Sequence, residues 1–200
     1  MKLSIVIPCF NEEKNIPLII DRFQGILNDN QIEIIFVDNG STDQTSLILK
    51  ELTEELSNYQ FIRLEKNLGY GNGILKGLEV AEGEILAWTH ADMQTDPNDV
   101  LKGFELFKGK NSKVFVKGSR RGRPVVDLIF TIGMSVFETI LLRKYMWDIN
   151  AQPTMFKREF FCEWKDPPKD FSLDLFAYYQ ALKYNLDIAR FPVVFSKRAN

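Results

Sequence analysis

The stretch WTHADMQTDP, residues 88–97, holds the one histidine of this 200-residue chain, two positions before an aspartate. It overlaps the end of the apolar run EILAWT, which predicts a buried strand. Imidazole and carboxylate groups at this spacing could bind a metal ion or move a proton, and a histidine there could also be a core residue. His90 and Asp92 are therefore the first candidates for chemistry.

Two other polar clusters also follow apolar runs directly. They read PCFNEE at 8–13 and VDNGSTD at 37–43. A single Asn or Asp after a strand usually caps a helix or forms a turn, as Asn39 before Gly40 could do. Three such clusters at one rim of a sheet indicate a shared binding site instead. A carboxylate such as Asp38 could accept there from a base or a ribose hydroxyl.

Apolar runs and helical periodicity alternate through the first half of the chain. The predicted strands are 2–8, 32–37, 61–66 and 84–89, and the predicted helices are 13–28, 43–57, 72–81 and 97–108. Ser41 or Thr42 could cap the second helix, and Pro97 suits the first turn of the fourth. The pattern predicts an α/β fold, with a mostly parallel central sheet, helices on both faces and ligands at the carboxyl ends of the strands.

The pattern changes after residue 112. The second half predicts a strand at 113–118, a basic turn SRRGRP, helices at 125–142 and 172–184, an irregular segment at 147–161 and a last strand at 188–195. Neither an internal repeat nor a low-complexity linker separates the halves. We therefore expect the second half to be an appended region of one domain.

Composition bounds the class of protein. A net charge of −2 with 45% hydrophobic residues is typical of a globular domain and gives no bias towards nucleic acid. Cys9 and Cys162 are far apart, which argues against a disulfide framework or a zinc knuckle and favours the cytoplasm. The N-terminus lacks the apolar core and cleavage site of a signal peptide.

Asp127 and Glu138 interrupt the apolar segment 125–142, which predicts an amphipathic helix on a core, a dimer face or a membrane surface.

Five segments occur in the order and approximate spacing of the inverting family 2 glycosyltransferases of the GT-A fold, and the chain resembles that family. The segments are SIVIPCFNEEKNI, IIFVDNGSTDQT, KNLGYGNGILKGL, EILAWTHADMQTDP and VKGSRR. The chain looks most like the branch of dolichyl-phosphate mannose and polyprenyl-phosphate glucose synthases. The resemblance implies one domain, with a nucleotide-sugar-binding half at 1–112 and an acceptor-side half at 113–200. Relatives continue past the position of Asn200, so part of an acceptor lid is expected beyond it.

The resemblance also assigns residues to the donor site. The residues expected to contact the nucleoside diphosphate are Pro8, Phe10, Glu12, Glu13, Asp38, Asn39, Lys66, Gly69 and Ala91. The letters HAD take the place of the family's Asp-any-Asp motif, which holds a divalent metal against the diphosphate. Such a cation stabilises the charge of the leaving group. Asp92, His90 and Gln94 are the implied ligands of Mn²⁺ or Mg²⁺.

His90 departs from the family motif, which carries aspartate there. Imidazole binds Mn²⁺ well and Mg²⁺ poorly, and a neutral ring removes one negative charge. His90 could ligate the metal or support a ligand, hydrogen-bond to ribose or diphosphate, or be structural, and its donor-side position argues against a general base. Because of this departure, the alternative to an active glycosyltransferase is a non-catalytic donor-binding or scaffold subunit. A nucleotidyltransferase is less expected, since it would carry a glycine-rich basic loop after the first strand and PCFNEEKN is not such a loop. The glycines of GYGNG at 69–73 do not indicate a redox dinucleotide site, because that fingerprint belongs to the first β-α turn and GYGNG follows the third strand.

The acceptor side is assigned by the same resemblance. Asp174 is placed where a carboxylate could deprotonate a sugar hydroxyl. A polyprenyl-phosphate acceptor is already anionic and needs no base, and Arg120, Arg121 and Arg198 could then hold its phosphate, unless they form a solvated basic turn. The expected activity is sugar transfer from a nucleotide diphosphate donor to a lipid-linked phosphate or a surface glycan, in the cytoplasm or at the inner face of the membrane.

Overall fold

Strands and helices alternate along the chain as a series of β-α units. The structure is a computed structural model that describes residues 2–23, 31–54, 56–109, 113–122 and 125–196, and for 125–130 it describes the backbone. The strands are β1 (Leu3–Cys9), β2 (Ile32–Asp38), β3 (Tyr59–Arg63), β4 (Ile85–Trp88), β5 (Val114–Arg121), β6 (Thr154–Lys157) and β7 (Asp187–Val194). The helices are α1 (Ile16–Phe23), α2 (Thr45–Thr53), α3 (Tyr70–Val80), α4 (Asp99–Glu105), α5 (Val125–Leu142), α6 (Arg158–Cys162) and α7 (Leu173–Lys183).

The described strands form one sheet in the order β3-β2-β1-β4-β6-β5-β7. Strand β1 pairs in parallel with β2 and β4, β2 pairs in parallel with β3, and β5 pairs in parallel with β7. Strand β6 is antiparallel to both of its neighbours, β4 and β5. The predicted α/β class with a mostly parallel sheet is confirmed.

Both faces of the sheet are covered, because successive side chains of a strand point to opposite faces. Ile5 and Ile7 of β1 pack in one apolar cluster with Phe23 of α1. Val6 packs in a second cluster with Leu78 of α3. Strand β1 is consequently buried along almost its whole length, as expected for a parallel strand between two helical layers.

The start of α2 differs from the sequence prediction. The proposed capping of this helix by Ser41 or Thr42 is wrong, since Gln44 occupies the N-cap position and forms no side-chain cap bond. The hydroxyl of Ser41 is engaged elsewhere, because it accepts a hydrogen bond from the Asn11 amide at 2.9 Å. The residue type was suitable for a cap, but a contact with another loop determined its partner.

Other boundaries shift by a few residues. Strand β3 begins at Tyr59 rather than at 61, and α4 begins at Asp99 rather than at Pro97. The predicted helix 13–28 is observed at Ile16–Phe23, and its last five predicted positions lie outside the described residues.

The second half contains two elements that the sequence analysis missed. The segment 147–161 was expected to be irregular, but it contains β6 and most of α6. Strand β6 has only four residues, too few to show a periodicity, and it is recognisable only by its position between β4 and β5. Strand β5 runs through Arg121, so half of the predicted basic turn belongs to a strand.

Helix α5 spans the predicted range 125–142. Within the residues that the structure describes, no helix combines the length and apolar character needed to cross a bilayer.

The parallel register determines where the polar clusters lie. Cys9 at the end of β1 is opposite Asp38 at the end of β2, and Val6 of β1 is opposite Trp88 at the end of β4. The loops that follow these strands therefore leave the sheet at the same edge.

Close packing of α3 on the sheet gives a testable expectation. A Cβ added at Gly77 would overlap the Val6 side chain and lie 3.1 Å from Cγ2 of Val37. Gly77→Ala should therefore lower the unfolding free energy by about 1–3 kcal/mol in urea denaturation, as overpacking of a core does.

Gly133→Ala in α5 is the matched control. Its added Cβ would meet no atom within 4 Å. Removing a helical glycine without a clash should raise the unfolding free energy by roughly 0.5–1 kcal/mol. If the two variants behaved alike, the close contact between α3 and β1 would be contradicted.

Candidate active site

A cavity of about 370 Å³ lies at the carboxyl edge of the sheet, beyond the ends of β1, β2 and β4. It contains most of the residues assigned to the donor and the metal, namely Pro8, Phe10, Glu12, Asn39, Gly69, His90, Ala91, Asp92 and Gln94. Cys9, Asn67, Tyr70 and Phe171 complete the lining, and the sequence analysis did not assign them. The predicted convergence of three strand ends thus produces a real concavity.

The loops after β1 and β2 hold each other in place. The Asn11 amide donates to the Ser41 hydroxyl, and the Glu12 amide donates to Thr45 Oγ1 at 2.8 Å. In the other direction, the Thr42 amide donates to Asn11 Oδ1 at 2.9 Å. These reciprocal bonds satisfy backbone groups that would otherwise need water, so contacts within the protein hold this part of the cavity wall.

Three assigned residues do not line this cavity. Asp38 is fully buried, and its carboxylate accepts hydrogen bonds from the Ser41 amide at 2.8 Å and from the Ser46 hydroxyl. Lys66 is exposed outside the cavity. Glu13 lines a neighbouring polar concavity. Asp38 orders the loop that carries Asn39, and direct contacts of these three residues with a nucleoside stay predictions.

His90 and Asp92 lie side by side in the cavity wall. Nδ1 of His90 is 3.7 Å from Oδ2 of Asp92, whose Oδ1 accepts from the Gln94 amide at 3.0 Å. Two atoms that each bind one cation at about 2.1 Å are at most about 4.2 Å apart, so this pair fits a single small divalent ion. One nitrogen and one carboxylate ligand suit Mn²⁺ better than Mg²⁺.

The described part of the chain contains no cluster of three or more His, Cys, Asp or Glu side chains that could hold a metal. The remaining ligands of a cation at His90 and Asp92 would therefore have to be other oxygens, such as those of a diphosphate, water or Gln94.

Tyr70 connects the cavity to a buried carboxylate. Its hydroxyl is 2.8 Å from Nε2 of His90 and donates to Oδ2 of Asp174 at 3.2 Å. Burial, together with the charge of Asp174, raises the pKa of Tyr70 well above its usual value, which keeps the hydroxyl protonated. In the motif KNLGYGNG the glycines were noted and Tyr70 was not. No local pattern in the sequence indicates that Tyr70 contacts His90, which lies 20 positions further along the chain.

Asp174 lies beneath the cavity and not in its lining. It is 2% exposed. Its Oδ1 accepts from Lys117 Nζ at 3.3 Å, Gln152 Nε2 at 3.0 Å and Thr154 Oγ1 at 3.3 Å. A carboxylate enclosed in this way can orient its neighbours, and its role as a direct base stays a prediction.

Arg120 is engaged in an ion pair. Its Nε and Nη2 donate to Oδ1 of Asp148 at 2.8 Å and 2.6 Å, and its amide donates to Oδ2 at 2.9 Å. Asp148 is buried, and the sequence analysis missed it. A phosphate would have to share this guanidinium, so phosphate binding by Arg120 stays a prediction. Arg121 is exposed at the end of β5, and Arg198 lies outside the described residues.

The glycines of GYGNG allow the start of α3 to pack closely against the loop before α7. Gly69 has a φ of +110°, a region that favours glycine, and a Cβ on it would overlap the Lys169 carbonyl. A Cβ on Gly71 would lie 2.7 Å from the Asp170 carbonyl oxygen. The Asn72 amide donates to the same Lys169 carbonyl at 2.8 Å. Close packing within the chain therefore explains these glycines.

An aromatic pair forms one side of the cavity mouth. The rings of Tyr70 and Phe171 are stacked, with centroids 5.0 Å apart and planes 9° apart. Phe171 is 78% exposed, and Phe10 on the loop after β1 is 43% exposed. Exposed ring faces of this kind can stack on a base or on a sugar.

The chain belongs to glycosyl transferase family 2, whose model matches residues 4–162. It is 32% identical over 123 residues to the undecaprenyl-phosphate 4-deoxy-4-formamido-L-arabinose transferase of Photorhabdus laumondii. The aligned region covers 60% of this chain and 37% of that protein. It is 31% identical over 120 residues to the dolichol-phosphate mannosyltransferase of Pyrococcus furiosus, covering 60% of this chain and 33% of that protein. The chain thus spans about a third of the length of these relatives.

Solved structures show the same fold. Glucosyl-3-phosphoglycerate synthase from Mycobacterium tuberculosis, in complex with Mn²⁺, UDP-glucose and phosphoglyceric acid, superimposes with a TM-score of 0.76 at 21% identity. The match covers 100% of this chain and 72% of that one. The same enzyme in complex with Mg²⁺ and UDP gives a TM-score of 0.71 at 21% identity. The GT-A fold expected from the sequence is confirmed.

The buried pair of Lys117 and Asp174 predicts a pH dependence of stability. Burial lowers the pKa of Lys117 to about 8, although the charge of Asp174 opposes this shift. A lysine in the unfolded chain titrates near 10.4, so above about pH 8 the unfolded state binds more protons than the folded state. The unfolding free energy should therefore rise between about pH 8 and about pH 10, by up to about 1 kcal/mol per pH unit.

The double variant Lys117→Met/Asp174→Asn is the reference, because it removes both charges and leaves the other titrating groups in place. Urea denaturation at several pH values should show a steeper rise for the natural chain than for the variant. Parallel curves would contradict the lowered pKa of Lys117.

Proposed function

We propose that this chain transfers a sugar, with inversion, from a nucleotide diphosphate donor. The observation that supports this most directly is the side-by-side placement of His90 and Asp92 in a cavity formed by the ends of β1, β2 and β4, within a family 2 chain. Ligands of open α/β sheets bind in such a crevice. The proposal extends to the whole protein only by analogy, because the chain spans part of its relatives.

In the proposed mechanism, the exposed ring of Phe10 stacks on the base, and the ordered loops after β1 and β2 hold the ribose and phosphates. His90 and Asp92 would hold a divalent metal, which supplies charge stabilisation for the departing diphosphate. Fixed loops that orient the donor remove part of the entropic cost of reaching the transition state. Attack from the face opposite the diphosphate then inverts the sugar.

For the acceptor, we propose a polyprenyl phosphate, with a surface glycan as the alternative. The relatives' names include undecaprenyl-phosphate, dodecaprenyl-phosphate and dolichol-phosphate transferases. A phosphate oxygen is already an anionic nucleophile, so it needs no base in contact with it, and this agrees with the buried position of Asp174. We assign acceptor binding to residues 113–200, which supply Lys117, Gln152 and Asp174 beneath the cavity.

Asp92→Asn tests the metal role of the cavity. Thermal shift with a panel of nucleoside diphosphates, with and without Mn²⁺, should show metal-enhanced stabilisation of the natural chain and its loss in Asp92→Asn. Asp96→Asn is the matched control, because Asp96 lies outside the cavity lining. A silent panel with the natural chain would overturn the proposed donor binding.

His90→Asp restores the family motif and tests the histidine separately. If His90 is a ligand, the variant should move the preference from Mn²⁺ towards Mg²⁺ by about tenfold or more in half-saturating concentration, because carboxylate oxygen suits Mg²⁺ better than imidazole does. An unchanged ratio between the two metals would contradict direct ligation by His90.

The alternative function is a donor-binding subunit without turnover. It is favoured by the replacement of the first motif aspartate by His90. A nucleotide-release assay decides between the two proposals. Donor binding with no nucleotide release for any sugar donor, and gain of release in His90→Asp, would favour the non-catalytic subunit.

We further propose that α5 lies on the surface of a membrane at its cytoplasmic face. Its exposed apolar side chains include Val136, Phe137, Ile140 and Leu141, which are 53%, 61%, 72% and 65% exposed. Exposed Arg143 directly follows the helix. Apolar side chains next to a basic group are typical of helices that lie in the headgroup region of anionic bilayers.

Vesicle sedimentation tests this surface. The triple variant Phe137→Ser/Ile140→Ser/Leu141→Ser should reduce binding to anionic vesicles by about tenfold or more, since each buried apolar side chain contributes about 1.5–3 kcal/mol at most. Leu47→Ser/Leu52→Ser in α2, which also removes exposed leucines, is the control. If the natural chain instead forms a dimer that the triple variant dissociates, without vesicle binding, the exposed face of α5 is a dimer contact.

A further inference from the structure

A continuous chain of polar contacts links the buried carboxylate to the cavity wall. It runs from Asp174 through the Tyr70 hydroxyl to Nε2 of His90, and then from Nδ1 of His90 to Asp92. The contacts measure 3.2 Å, 2.8 Å and 3.7 Å. The inference drawn from it rests on the proposed function, because it concerns how His90 meets a metal.

The direction of the hydrogen bonds follows from the number of protons available. An ionised carboxylate only accepts, so the single hydroxyl proton of Tyr70 is donated to Asp174. Lys117 Nζ donates to the other carboxylate oxygen, Oδ1, at 3.3 Å. The Tyr70 oxygen also receives a longer contact from Gln152 Nε2 at 3.4 Å, and it accepts the shorter bond from His90, which places the proton of a neutral imidazole on Nε2.

The contact between His90 and Asp92 agrees with this assignment. If Nδ1 carried the proton, it would be expected to donate to the facing carboxylate at about 2.7–3.2 Å. The observed separation from Oδ2 is 3.7 Å, which is too long for that bond. In this tautomer Nδ1 carries no proton, and its distance of 3.7 Å from Oδ2 of Asp92 is one that a single cation can bridge.

We propose that Tyr70 is a positioning residue that fixes the Nε2–H tautomer of His90, so that Nδ1 and Asp92 can bind one divalent cation together. Asp174 sets the direction of the hydrogen bonds from beneath the cavity. The tautomer and orientation of a ligating histidine generally depend on the hydrogen bond made by its other nitrogen, and loss of that partner typically weakens metal binding by about 10- to 100-fold.

His90 is the only histidine in the chain, so its nitrogen resonances can be assigned without ambiguity. Long-range ¹H–¹⁵N spectra of the metal-free protein, with the ring neutral, should show the Nε2–H form. Tyr70→Phe should give a mixture of tautomers, because the ring then lacks its acceptor.

Asp174→Asn should reverse the hydrogen bonds. Its oxygen would stay with Lys117 and Thr154, and its NH₂ group would face Tyr70. The Tyr70 proton would then be donated to Nε2, and the spectra should show the Nδ1–H form.

Mn²⁺ titration followed by electron paramagnetic resonance provides the second measurement. Tyr70→Phe and Asp174→Asn should each bind Mn²⁺ at least about tenfold more weakly than the natural chain. Tyr59→Phe is the matched control, because the Tyr59 hydroxyl is buried in β3 without a hydrogen-bond partner among the described residues. It should leave both the tautomer and the Mn²⁺ affinity unchanged.

The outcomes separate this inference from the proposed function. Unchanged tautomer and Mn²⁺ affinity in Tyr70→Phe would overturn the role of Tyr70 and leave the proposed metal site standing. Failure of the natural chain to bind Mn²⁺, alone or with a nucleoside diphosphate, would overturn both. If Asp174→Asn does not fold, Tyr70→Phe decides, because it removes one oxygen and keeps the ring stacked on Phe171.

Discussion

Parallel pairing of β1 with β2 and β4 is the constraint on which the candidate site depends. Because of this pairing, three loops leave the sheet at one edge. The register that places Cys9 of β1 opposite Asp38 of β2 fixes where the loops after these two strands begin. A shift of one residue would exchange the two faces of β1, which contribute Ile5 and Val6 to different apolar clusters. The apolar core therefore fixes the position of a site that is itself polar.

The second constraint is electrostatic. Lys117 on β5 and Asp174 on α7 are both buried, and removing either one would leave a charge without its partner in the interior. The pair is supported by Thr154 on β6 and Gln152. The antiparallel strand β6 thus contributes to the site as well as to the sheet, because its Thr154 hydroxyl holds the Asp174 carboxylate beneath the cavity.

The sequence was informative where a pattern is local. The strand ends and helix α5 follow from runs of adjacent residues, and the motif HAD follows from its place after β4. It was uninformative where partners are distant: Tyr70 meets Asp174 across 104 positions, and no periodicity records such a contact. The misplaced cap at Ser41 has the same origin, because a neighbouring loop competes for the hydroxyl.

Two candidate site residues show the same limit of sequence patterns: Asp38 is buried, and Arg120 is paired with Asp148. In both cases the residue type suited ligand binding, and in both the structure gives the side chain a partner within the protein. Residue type alone does not distinguish a group that meets a ligand from one that shapes the wall behind it. Packing and hydrogen-bond geometry make that distinction.

The loop before α7 and the start of α3 are joined by the Asn72–Lys169 hydrogen bond and by the stacking of Phe171 on Tyr70. Any movement of that loop away from the cavity must break this bond and unstack this pair, and it thereby frees the ring whose hydroxyl meets His90. A displacement of that loop and the hydrogen bond at His90 are therefore coupled through the single ring of Tyr70.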